Sequence, residues 1–175
     1  MNRKIVLPTG LLGIFVLLAA CTTNIAIETH TDKVESTAAE IADFDLPADY
    51  IPEFSARLDG YTLVSYNLGD DHSHLYLIQS EEESDGEKLA GMVEQIAPGS
   101  YDPQTRMTVI ETRQVTVRKQ EVILIISEGV TSEGEIYRQV TAAFQGNGGP
   151  ALLMLSEPVP SWNQESVDAF IASIR

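Results

Sequence analysis

Residues 138–159 read RQVTAAFQGNGGPALLMLSEPV, and residues 161–175 follow as SWNQESVDAFIASIR. The first stretch belongs to two strand-forming runs, 135–144 and 151–156, separated by GNGG. Asn-Gly between two such runs is a hairpin signal. A phosphate cradle would need a helix directly after the glycines, and Pro150 with an apolar run stands there instead. In the second stretch Val167, Phe170, Ile171 and Ile174 share one stripe of a helix. Asn163 is placed to cap that helix, and Trp162 to staple onto Val167. The spacing favours Trp162 as a core anchor over a ligand-stacking ring.

Working back along the chain, YTLVSYN (61–67) and HLYLIQ (74–79) read as a strand pair across the polar turn LGDDHS. Residues 85–97 read as a helix, because Leu89, Met92, Val93 and Ile96 recur at helical spacing. Ser84 or Asp85 can cap its start, and Pro98-Gly99 stops it. Strands are expected at 107–112, about 114–118 and 121–127. VILIIS is apolar on both faces, which places it centrally in a sheet covered on both sides. In TRQVTVRK, Val115 and Val117 point inward and Gln114, Thr116 and Arg118 outward. The pattern predicts an α+β domain over residues 46–175: an antiparallel sheet with two amphipathic helices packed on it. Its expected core includes Leu89, Val93, Ile123, Ile125, Phe144, Leu153, Trp162, Phe170 and Ile171.

The long strand, tight turn, second strand and Trp-flanked helix ending SIR resemble the PsbP-like fold over the last forty or so residues. The rest agrees with it in element order. The resemblance implies a binding or assembly role and brings no catalytic residues.

At the other end, Arg3 and Lys4 precede an apolar run over residues 5–20, the pattern of a secretory signal. As a membrane span the run is short, since about 20 apolar residues are needed and Pro8 and Thr9 interrupt it. The only cysteine, Cys21, closes it. Leu18-Ala19-Ala20-Cys21 resembles the lipobox of bacterial lipoproteins. An ordinary signal would want a small residue where Leu18 stands. The resemblance implies cleavage before Cys21, diacylglycerol on its thiol and acylation of the new amino terminus. Several acyl chains hold a protein to a membrane where one does not. Thr22, with no aspartate after the cysteine, implies the outer membrane of a Gram-negative cell. In a Gram-positive cell the outer face of the cytoplasmic membrane is implied.

The formal charge is −15, and removing residues 1–20 deletes Arg3 and Lys4 and no acid, leaving −17. Such a surface opposes nucleic acid and anionic lipid heads. A saline habitat or a cationic partner would each account for the acidity. Residues 21–45 read as a flexible acidic tether spanning on the order of 25–30 Å, with a short helix at most near 36–41 and His30 exposed.

Among chemistry-bearing residues, His72 and His74 are spaced to share one face of an extended chain, beside Asp70 and Asp71. Zinc or copper takes such a pair with one or two carboxylates. Two histidines are an incomplete set, and the acidic run 81–83 belongs at the far end of the hairpin, on the order of 20 Å away. A polar turn is the simpler reading. EEESDGE lacks the alternation of a calcium loop and instead suits a helix N-terminus. There is no G-x-S-x-G, H-E-x-x-H or S-x-x-K. The expectation is a membrane-anchored envelope lipoprotein, non-enzymatic and without a cofactor, that binds an envelope protein or a small ligand. The alternative is a surface metal-binding protein or metal-dependent enzyme centred on His72 and His74.

Overall fold

Strands β1 (Ala26–Glu28), β2 (Ile51–Leu58), β3 (Tyr61–Asn67) and β4 (His74–Ser80) form one antiparallel meander. Strands β5 (Thr108–Val117), β6 (Gln120–Val130), β7 (Ile136–Gln145) and β8 (Pro150–Pro158) form a second. They join where β4 pairs with β8, giving one eight-stranded sheet in the order β1-β2-β3-β4-β8-β7-β6-β5. The structure is a computed structural model and describes residues 25–69, 73–96, 107–131 and 134–175.

Two hairpin turns have the mirror-image geometry that matches strand twist. Between β2 and β3, Asp59 and Gly60 have φ of 45° and 80°. Between β5 and β6, Arg118 and Lys119 have φ of 50° and 64°, a left-handed conformation that disfavours a Cβ. The GNGG turn works differently. Gly146, Gly148 and Gly149 are glycines because of close approach: a Cβ on Gly149 would stand 2.1 Å from the Ser80 carbonyl oxygen.

The sheet is covered unequally on its two faces. Helices α1 (Thr31–Ile41) and α3 (Gln164–Ser173) lie on one, and α2 (Gly86–Ile96) lies on the other. The capping and stripes of the two expected helices are as the sequence indicates. Asn163 accepts a hydrogen bond from the Ser166 amide, and Val167, Phe170, Ile171 and Ile174 are buried. Asp85 accepts from the Lys88 amide at 2.8 Å, and Leu89, Val93 and Ile96 are buried. Fully burying such side chains contributes about 1.5–3 kcal/mol each.

Five expectations need correction. The strands expected at 107–112 and about 114–118 are one, β5, continuous over Thr108–Val117 with a register shift between Val109 and Glu111. Residues 25–45 are not a tether. They supply β1 and the eleven-residue α1, whose Val34, Thr37, Ala38 and Ile41 are buried against the sheet. VILIIS is not central either: β6 is next to the edge, and β8 holds the seam, with Ala151–Leu155 buried throughout. Consequently Ile123 is 48% exposed and Ile125 half-buried, outside the core assigned to them. Lastly, Trp162 packs against the core but is half-buried at its margin, with its indole N–H on Gln164 Oε1 and the Arg138 guanidinium 5.4 Å from its ring centre.

The chain closes on itself below α1. The Asn147 amide donates to the Ile41 carbonyl at 2.8 Å, its side chain to the Ala39 carbonyl, and the Gly148 amide to Gln79 Oε1. The two Asn147 bonds satisfy carbonyls at the helix C-terminus that have no partner within the helix.

Candidate functional site

Alternation along β6 sends Leu124 and Ile126 into the core under α1 and α3, and Ile123 and Ile125 to the opposite face. On that face α2 packs over β4 and β8 and stops short of β6. Between α2 and the uncovered strip lies an open trough of about 510 Å³, within the usual size of small-molecule sites. Its floor is Ile123, Ile125, Ala143 and Leu152, with the Thr141 hydroxyl, and its wall is Gly86, Glu87 and Ala90 of α2. The helix start sits close over β7, so that a Cβ on Gly86 would be in ordinary contact with the Ala143 Cβ at 3.4 Å. Glu87 is the charged side chain of the lining among the described residues. Glu121, two residues before Ile123 on the same strand, shares its face.

A polar cluster occupies another part of this face. The register of β2 shifts between Pro52 and Phe54, and Glu53 at that bulge reaches Ser65 and His74. The Ser65 hydroxyl donates to Glu53 Oε2 at 2.6 Å, and His74 Nδ1 stands 3.6 Å from the same oxygen. The His74 ring stacks on Tyr76, with centres 5.6 Å apart. Burial, and then the Glu53 charge, push the Tyr76 phenol well above its ordinary range, while a hydrogen bond with Ser65 opposes the shift. Ser65 is fully buried and its proton is directed at Glu53. The group therefore offers no exposed nucleophile.

A smaller hollow of about 280 Å³ lies beside α1, between Glu35, Ala38, Phe44 and Tyr66. Burial, and then the charge of Glu35, raise the Tyr66 phenol to about 12.

Of the residues singled out from sequence, Cys21, Asp70, Asp71 and His72 lie outside the described residues. His74 opens β4 opposite Asn67, and Ser80, just before the acidic run 81–83, lies opposite Tyr61. The histidine and the run thus occupy opposite ends of the hairpin. Among the described residues no three His, Cys, Asp or Glu side chains group as a metal site. The sequence reading did not anticipate Glu53 or the trough. The even hydrophobicity of VILIIS signalled an apolar face, but not that it goes uncovered.

The fold and trough define an α+β sheet domain with a partly exposed apolar face. No protein-family model matches the sequence, and no curated protein matches it either. Among solved structures, the chain is similar to the crystal structure of LpqN, involved in cell envelope biogenesis of Mycobacterium tuberculosis. The identity is 12% and the TM-score 0.36, over 89% of this chain and 86% of that one. A likeness of that size carries no residue or role across, and it does not bear on the PsbP-like resemblance.

Proposed function

We propose that this chain is an envelope lipoprotein, acylated at Cys21, whose domain acts without catalysis by holding a small apolar ligand in the trough beside α2. The observation that carries the binding role is the exposure of Ile123 and its neighbours next to a cavity of ligand size. Apolar side chains grouped around a concavity mark binding surfaces more often than scattered ones do. The anchor rests on the basic start, the apolar run and Leu18-Ala19-Ala20-Cys21. The metal alternative keeps one described carrier, His74, whose Nδ1 faces Glu53, and no geometry favours it.

The neutral dye Nile red tests the trough. It should brighten on the chain from Thr22 onward, which carries every described element, and Ile123→Glu should reduce its affinity at least tenfold without changing stability. Equal binding by both would remove the trough from the reading. Labelled fatty acid tests the anchor. Wild type should take up label and begin at Cys21, whereas Cys21→Ser should remain an unlabelled precursor. A mature form beginning elsewhere would mean a secreted protein.

A further inference from the structure

The trough has a sign as well as a shape. Its floor is aliphatic and its one hydroxyl neutral, but the end where α2 begins is acidic. Glu87 lines it, Glu121 is exposed on the face of Ile123, and Asp85 precedes the helix, exposed as well. The nearest lysine on α2, Lys88, is turned to the Tyr61 ring, 5.9 Å from its centre, and no lysine or arginine lines the trough among the described residues. A negatively charged head at this end would meet like charge from the helix and from the strand. A positively charged head would meet the Glu87 carboxylate while its tail covers Ile123 and Ile125; Glu121 lies beyond the lining on the same face of β6, with Lys119 in the turn before it.

We infer that the ligand is a cationic amphiphile, an ammonium or amine group on an aliphatic chain, with its head at Glu87, on the side of the trough toward Glu121, and its chain along Ile123, Ile125 and Ala143. This rests on the trough reading above and adds the ligand's charge. The tail supplies affinity through the apolar area it removes from water, and the carboxylates supply sign selectivity. The acidity of the whole chain raises the local concentration of cations. It does not by itself distinguish the trough from the rest of the surface, so the test separates the two.

The probes are dodecyltrimethylammonium, dodecyl sulfate and dodecyl maltoside, each below its micelle concentration, displacing Nile red from the chain beginning at Thr22. The cation is expected to displace the dye at a concentration at least tenfold lower than the anion, with the neutral amphiphile between them. Glu87→Gln with Glu121→Gln should remove most of that preference. A remote pair, Glu28→Gln with Asp32→Gln, removes the same charge and should leave the preference intact. Equal displacement by cation and anion, or equal loss in both pairs, would overturn the inference while the trough reading stands. Failure of Ile123→Glu to weaken the dye defeats the trough reading itself. All three variants change only exposed side chains, and matching urea midpoints would confirm that each retains its fold.

Discussion

The main chains of Asp43 and Arg175 exchange two hydrogen bonds: the Arg175 amide donates to the Asp43 carbonyl at 2.8 Å, and the Asp43 amide to the Arg175 carbonyl at 3.1 Å. The segment leaving α1 is thereby tied to the end of the chain. The Arg175 side chain adds an ion pair with Asp45, but both groups are largely exposed, where such pairs contribute little. Deleting Arg175 should therefore cost about 1–3 kcal/mol, two hydrogen bonds' worth. Arg175→Ala keeps the main chain and should cost less than about 1 kcal/mol. Urea midpoints of the two variants measure the difference.

Ile41 is fully buried on the last turn of α1. Ile41→Ala should lower stability by about 2–5 kcal/mol, seen as a lower midpoint with an unchanged urea slope. Were this segment a loose tether, the substitution would change nothing measurable.

Glycine chemistry should act with opposite signs at two turns. Gly149→Ala drives a Cβ against the Ser80 carbonyl and should destabilise by about 1–3 kcal/mol, as overpacking does. Lys119→Gly relieves a left-handed residue with φ of 64°. It should stabilise by up to about 1 kcal/mol, the strain relief being partly offset by the freedom glycine gains when unfolded. Thermal unfolding of the two variants should shift in opposite directions.

These turns also show what was legible from sequence. GNGG announced a hairpin correctly, but not that its glycines are set by contacts with β4. Strands β3, β4 and β6 to β8 and both expected helices were readable because their apolar period, capping residues and turns agree locally, whereas β5 was read as two strands where there is one. β2 was missed, since Pro52 and Glu53 break the alternation at a bulge. α1 was underrated: Val34, Ala38 and Ile41 do recur at helical spacing, but small and charged neighbours dilute the signal. The site was illegible for a different reason. Ile123 and Ile125 resemble core residues, and only the packing of α2 over β4 and β8, at the seam of the sheet, leaves them uncovered.

Alkali should weaken the fold through Tyr66. Its phenol ionises at about 12 in the folded chain, against an ordinary value of 10, so the unfolded chain loses its proton first. The stability it contributes is complete below about pH 10 and is lost as pH rises toward about 12. Burial pushes Tyr76 in the same direction. Tyr66→Phe should flatten part of this decline, measured by urea midpoints at about pH 9 and about pH 11 and by phenolate absorbance.

The early start of the domain would set its posture if Cys21 is acylated as proposed. With β1 beginning at Ala26, four residues separate it from Cys21, and the five steps between the two reach at most about 18 Å. An acylated Cys21, as proposed, would hold the β1 edge of the sheet down against the lipid like the hinge side of a door. The trough lies on β6 and β7, five to six strand spacings away, or about 25–30 Å. The swinging edge, rather than the hinge, would then carry the opening, facing whatever arrives from the side away from the bilayer.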